Sequence, residues 1–514
     1  MYIQKLKEKR QKKDWKMHKD MSFTCYKQWS IKGTAAVVLL ALSLPFTGCS
    51  RYLDNLSDMP AADESTSVAG NDEAETAQTD SVGDNDGMDT SGVKEADEEM
   101  KEGAPSSDTE ATTLRDAVAS GTGLGSDAIC GAAVGIQNIN NDRLLELAFS
   151  QFNSITLENE LKLDSMLGYS NERCPEGSIH EEELNGEVIE VPTLDHVRAD
   201  ALLDKVLEWN EANPDKKVRV RGHVLVWHSQ APEWFFREDY DYDKGYVSKE
   251  VMDKRLEWYI KSMLEYYTGE NSKYKGLFYG WDVVNEAVSD ATGKYRSDTE
   301  NGNDSLDDPV HSTKSTWWKV YQSNEFIINA FTYANRYAPA DLDLYYNDYN
   351  ECVPSKMEGI ISLINAVKDA PGARIDGFGM QGHYNINKPG AREIKSAILK
   401  YGEVVDKVMF TEMDVRATMD VSISDAVLEK EYDIQAKYYL AWYEAMKEAE
   451  AEGVDVAGIT TWGVIDPDSW LQTWNDAGGG TDGKMKHCPL LFDGNYEPKP
   501  AYWAFVDPGR LESE

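Results

Sequence analysis

The chain has 514 residues, a formal net charge of −39 and 41% hydrophobic residues, enough for a large core in one or two domains. So acidic a surface opposes binding to nucleic acid or anionic lipid and leaves a neutral polymer as an acceptable substrate. Aromatics reach 11%, with 14 Trp and 27 Tyr, an excess that suits stacking on sugar rings and equally suits an ordinary core.

Residues 1–50 read as a targeting segment. Ten basic residues between Lys5 and Lys32 precede the apolar stretch Thr34–Phe46, TAAVVLLALSLPF. That stretch is short for a membrane span and fits a signal h-region. It runs into Thr47-Gly48-Cys49, which resembles a bacterial lipoprotein signal, although Phe46 stands where Leu is usual. The resemblance implies lipidation at Cys49 and a lipid-anchored protein on the outer side of a bacterial membrane; secretion behind an ordinary signal is the alternative. Residues 51–112 carry eighteen Asp and Glu against Arg51, Lys94 and Lys101. With no apolar periodicity they cannot bury enough surface to offset ordering, so they read as an acidic, disordered stalk. Cys130, Cys174, Cys352 and Cys488 lack metal-type spacing, and the sequence leaves any disulfide pairing open.

From residue 113 to 514 the pattern alternates strand and helix. Predicted strands are 129–134, 154–157, 217–226, 278–284, 342–346, 375–380, 408–410 and 456–461. Predicted helices are 142–149, 195–210, 249–267, 317–337, 357–368, 391–401, 423–450 in more than one piece, and 501–505. Eight such units read as one α/β domain, a (β/α)₈ barrel. A doubly wound sheet fits less well, because no Gly-rich phosphate turn is present. Segments 167–192, 289–315 and 475–488 read as insertions overhanging the active face. The first carries Glu181, Glu182, Glu183, Glu187 and Glu190 and reads as a solvated flap.

Chemistry in such a barrel gathers where strands end. The apolar run Phe278–Val284 stops at Asn285-Glu286, and the run from Val408 reaches Glu412 and Asp414. Two strand-end glutamates in one barrel can serve as the acid and the nucleophile of a glycosidase. The competing explanation at each is a strand that turns polar on reaching water. Other strands end in Thr156-Leu-Glu158-Asn159-Glu160-Leu-Lys162, in Arg221-Gly-His223-Val-Leu-Val-Trp227-His228-Ser-Gln230, in Tyr346-Asn347-Asp348-Tyr349-Asn350, in Gln381-Gly-His383 and in Trp462 through Trp470. His223 and His228 lie five apart and point to opposite faces of a regular strand, so only one of them can line the site.

These motifs, in this order, resemble glycoside hydrolase family 10, the retaining endo-β-1,4-xylanases. The resemblance spans about residues 113–508. It implies hydrolysis inside the xylan backbone, with Glu286 as acid/base and Glu412 as nucleophile. It also implies that Asn285 contacts the sugar 2-hydroxyl, that His383 and Asp414 hold the nucleophile, and that Gln381 makes a further contact on the sugar or nucleophile side. Glu158, Asn159, Lys162, His223 and Gln230 would form the polar floor for sugars on the non-reducing side, with Trp227, Trp462 and Trp470 as aromatic walls. Asn347 and Tyr349 would face the acid and the leaving group. The family motif selects His223 over His228. Met413 and Leu471 depart from the usual residues, and Leu471 replaces a frequent Arg. No metal or organic cofactor is implied, and the partners expected are xylan and xylo-oligosaccharides, bound by a monomer. The same barrel acting on another β-1,4-glycan, or an inactive surface xylan-binding lipoprotein, are the rivals.

Overall fold

The computed structural model describes residues 112–170, 173–299, 313–386, 388–416, 425–473 and 487–511. Cys49, the targeting segment and all but the last residue of the stalk lie outside them, as do residues 300–312 of the insertion 289–315 and nearly all of 475–488.

Eleven strands occur among the described residues: β1 (Ile129–Val134), β2 (Ser154–Leu157), β3 (Ile179–Leu184), β4 (Glu187–Pro192), β5 (Arg219–Trp227), β6 (Phe278–Asn285), β7 (Asp343–Asp348), β8 (Gly377–Met380), β9 (His383–Asn385), β10 (Lys407–Arg416) and β11 (Asp455–Thr461). Eight of them close a parallel ring in the order β1-β2-β5-β6-β7-β8-β10-β11, with β11 paired to both β10 and β1. The fold is therefore the (β/α)₈ barrel. Helices cover the outside and neighbouring residues fill the inside, so β1, β2 and β8 are buried along their whole length.

The helices are α1 (Leu114–Val118), α2 (Asp142–Gln151), α3 (Leu163–Met166), α4 (Val197–Ala212), α5 (Lys249–Thr268), α6 (Thr316–Tyr321), α7 (Glu325–Tyr337), α8 (Pro354–Lys368), α9 (Ala391–Gly402), α10 (Asp425–Ala451) and α11 (Pro500–Val506). Their starts follow local chemistry. Ser248 accepts from the Val251 N–H at the head of α5, and Ser315 accepts from the Trp318 N–H at the head of α6. In α7 the buried side chains Phe326, Ile327, Ala330, Phe331 and Ala334 recur at helical spacing and form one face toward the barrel. Strand–strand packing depends on one missing side chain. A Cβ on Gly222 would lie 2.0 Å from the Trp281 ring, so glycine is what lets β5 approach the indole on β6.

Four details differ from expectation. The helix expected over 317–337 is two, because Gln322 adopts a left-handed φ of 52° and ends α6. The segment expected in pieces over 423–450 is, from Asp425 on, the single helix α10. The strand expected to end at Phe410 continues to Arg416, which carries Glu412 and Asp414 on the sheet itself. The insertion 167–192 is not merely a solvated flap: over Ile179–Pro192 it forms the antiparallel hairpin β3–β4. Its outer side chains remain exposed, but one side docks on α5: Trp258 Nε1 donates to Glu182 at 2.9 Å, and Asn185 Nδ2 donates to Glu257 at 3.0 Å. The four described cysteines are free.

Candidate active site

Side chains two apart on a strand share a face. On β10 that places Glu412 and Asp414 on the inner side, while Met413 between them is fully buried in the core. Gly382, with φ 78°, turns the chain after β8 so that β9 can lie beside β10, and the register sets His383 opposite Asp414. The imidazole then stands between two carboxylates. Its Nε2 is 3.3 Å from Glu412 Oε2 and its Nδ1 is 3.0 Å from Asp414 Oδ2. Trp470 Nε1 donates to the same Asp414 oxygen at 2.7 Å, and its ring meets His383 edge-on. Trp470, expected as a sugar wall, thus also steadies this chain of groups.

Glu286 follows the end of β6. Its backbone N–H donates to the Asn347 carbonyl at 2.9 Å. Its Oε1 accepts from Asn285 Nδ2 at 3.0 Å and from Gln381 Nε2 at 2.9 Å. Gln381 therefore contacts the Glu286 side of the site. Asn347, expected to face the acid and the leaving group, is fully buried and sits between the two carboxyls. Its Nδ2 donates to Glu412 Oε1 at 2.7 Å and to Asn285 Oδ1 at 3.0 Å. Two amides therefore connect Glu412 to Glu286. Tyr349 lies farther along, its hydroxyl donating to Asp290 and receiving Arg296 Nη2 at 3.4 Å.

The two carboxyls have opposite electrostatic surroundings. Burial pushes Glu286 above the usual carboxylate range, and Arg296 and Gln381 only partly oppose it. Burial also acts on Glu412, but there the hydrogen bond from His383 and the charges of His383 and Arg221 prevail and bring it down to about 2. For His383, burial would favour the neutral ring; Asp414 and Glu412 outweigh it and raise the imidazolium to about 10. The two surroundings thus push the carboxyls apart, Glu286 toward the acid form and Glu412 toward the ionised one.

The residues expected to form the polar floor are also joined by hydrogen bonds. Lys162 Nζ donates to Asn159 Oδ1 and to Gln230 Oε1, each at 3.0 Å, and stands 4.9 Å from the Trp227 ring centre. Glu158 accepts from Gln137 Nε2 at 3.0 Å, and Gln230 Nε2 donates to Asp164 at 3.2 Å. His223 is buried, with Nδ1 2.8 Å from Asp282 Oδ2 and its ring edge-on to Trp462. Arg221 closes this group: it pairs with Asp282 and donates to the Thr411 carbonyl at 2.7 Å, directly before Glu412.

Several members of the site escaped the sequence reading. Strand parity admits only one of His223 and His228 to the site, and the family motif selects His223, yet His228 Nδ1 lies 4.0 Å from Glu286 Oε2. Parity fails because the pairing of β5 with β6 shifts register between His223 and Val226. Arg221 and Asp282 did carry a signal, since charges inside apolar strands demand a partner. Gln137, Asp164 and Arg296 lie off the strand ends and carried none. Among the described residues no three His, Cys, Asp or Glu side chains converge as a metal-binding group.

Residues 122–508 match the family model for glycosyl hydrolase family 10. The chain belongs to glycosyl hydrolase family 10. Endo-1,4-beta-xylanase Y of Acetivibrio thermocellus is 34% identical over 382 residues, and these make up 72% of this chain. The chain spans only 30% of that relative's length. The endo-1,4-beta-xylanase of Geobacillus stearothermophilus is 33% identical over 301 residues, 58% of this chain and 80% of the relative. Among solved structures, the N-terminal modules of Clostridium thermocellum endo-1,4-beta-D-xylanase 10B, complexed with xylohexaose, match with a TM-score of 0.61 at 32% identity. That match covers 78% of this chain and 68% of the other. The family-10 match begins at residue 122, so α1 and the segment before it lie outside it.

Proposed function

We propose that the protein is a retaining endo-1,4-β-xylanase in which Glu286 is the acid/base and Glu412 the nucleophile. The observation that carries this reading is the pair of carboxyls joined through Asn285 and Asn347 and held toward opposite protonation states. In the first step a Glu412 oxygen attacks the anomeric carbon. The glycosidic bond breaks, and the departing oxygen takes the Glu286 proton. The result is a glycosyl ester and a free hydroxyl. Once Glu412 is an ester, Glu286 has lost a negative neighbour and holds a carboxylate more readily. It then takes a proton from water as that water attacks the ester, releasing the sugar with its original anomeric configuration. Asn285 would donate to the 2-hydroxyl at the cleaved linkage. The Lys162–Asn159–Gln230 cluster with Glu158 and Trp227 would receive the sugars beyond it.

The experiment is hydrolysis of xylan followed by proton NMR. The expected result is internal cleavage giving xylo-oligosaccharides whose first-formed reducing ends are β. An α product would overturn the covalent mechanism. Rapid cleavage of cellulose with none of xylan would move the substrate to another β-1,4-glycan. No cleavage of either would leave a binding protein.

The His383 contacts lead to a second expectation. His383→Ala removes both a hydrogen bond to the Glu412 carboxylate and the charge beside it, so the Glu412 carboxyl rises from about 2 toward its ordinary range. The acidic limb of the kcat/KM profile should move to higher pH, with kcat falling more than KM rises. A change in KM alone would make His383 a sugar contact instead.

A further inference from the structure

Glu286 is not at the end of a relaxed strand. Its backbone has φ 54°, a left-handed conformation that strains a residue bearing a Cβ. Arg296, ten residues on and only 5% exposed, holds it there. Arg296 Nε donates to the Glu286 carbonyl at 2.8 Å. The Arg296 backbone N–H donates to the Ala287 carbonyl at 2.7 Å, so the loop grips two successive residues. The remaining guanidinium nitrogens reach the Thr313 carbonyl at 3.1 Å, the Val288 carbonyl at 3.5 Å and the Tyr349 hydroxyl at 3.4 Å. Asp290 answers the charge from 3.8 Å and is itself tied to Lys356 Nζ at 2.8 Å.

We propose that Arg296 is a positioning residue for the acid/base, fixing the main chain of Glu286 and holding a permanent positive charge within electrostatic reach of its carboxyl. The inference rests on the acid/base role given to Glu286 above. Burial is the largest influence on that carboxyl, and Arg296 is the largest opposing one, ahead of Gln381; Asp348 adds to burial. The other charged or titratable groups around it are Lys356 on α8, Asp290 in the loop, Tyr349 just past β7, Glu412 across the site and His228 just past β5. His228 is kept neutral by burial, Arg296 and Lys356. A guanidinium does not titrate in any working range, so Arg296 restrains the rise of the acid at every pH. It leaves Glu286 able both to give its proton in the first step and to take one in the second.

The test uses Arg296→Met, Arg296→Lys and Asp290→Asn in the full chain. Each is assayed across pH on xylan and on an aryl xylobioside with an acidic phenol, with thermal melts alongside. Removing the cation favours the protonated acid, so R296M should move the basic limb of kcat/KM on xylan up by about one pH unit. Its rate at the optimum should fall about tenfold, while glycosylation by the aryl substrate should change little. R296K keeps the charge and should keep the limb in place. D290N removes a negative charge, needs no change in the buried guanidinium, and should move the limb the opposite way, down. A wild-type profile with no basic limb on xylan would overturn the acid assignment and this inference together. A wild-type limb left in place by both R296M and D290N would overturn this inference alone. Equal losses on both substrates at every pH would do the same, since they mark a merely structural role.

Discussion

Replacing Glu412 with Ala is expected to lower kcat by about 10⁶-fold on every substrate, the scale of deleting the nucleophile from a covalent mechanism. No glycosyl ester can form, so rapid mixing should show no burst of product whatever the leaving group. The side chain is nearly buried and fully bonded, with Asn347 on one oxygen and His383 on the other. Its loss therefore leaves His383, Asp414 and Arg221 without the charge they surround. A burst from Glu412→Ala on an aryl xylobioside would show that another group forms the ester.

Glu286→Ala should behave differently. Cleavage of xylan expels an alkoxide that needs a proton, and there the loss should be about 10³-fold. An aryl xylobioside with an acidic phenol expels its phenolate unaided, so its first step should survive far better. The second step then lacks its base. The expected trace is a burst followed by a low steady rate, which azide accelerates by attacking the ester and giving a glycosyl azide. If the two alanine variants responded alike to leaving-group acidity, the roles assigned to the two carboxyls would be wrong.

Much of the site was legible because it rides on strands. Glu412 and Asp414 share a face by the two-residue period, and the core position of Met413 follows from the same period. Glu286 could be found because an apolar run stops there. What strand logic misplaced sits where the strand is irregular. His228 reaches Glu286 only because the register slips after His223. Asn347 is on a strand end as expected, but its partners come from β6 and β10, and a one-dimensional pattern cannot say which neighbour an amide will face. Arg296 belongs to a loop, where no period exists to announce it. The break at Gln322 was invisible for a related reason. Neither Gly nor Pro marks it, and the apolar spacing continues across it into α7.

The chain's approach to the barrel gives the molecule a direction. Arg115 in α1 donates to the carbonyls of Phe149, Phe152, Lys216 and Lys217. All four lie just before or beneath the starts of β2 and β5, at the end of the barrel away from Glu286 and Glu412. Ring strands of up to ten residues, at about 3.3 Å each, put roughly 20–30 Å of packed protein between that end and the opposite one. Coupled to a bead or a chip through residues near 112, the protein would turn its back to the support and its two carboxyls to the bulk. A long, insoluble chain could then slide in from solution without the support in its way. Coupling through the loops that follow the strands would do the reverse, presenting the carboxyls to the solid and the blank end to the polymer.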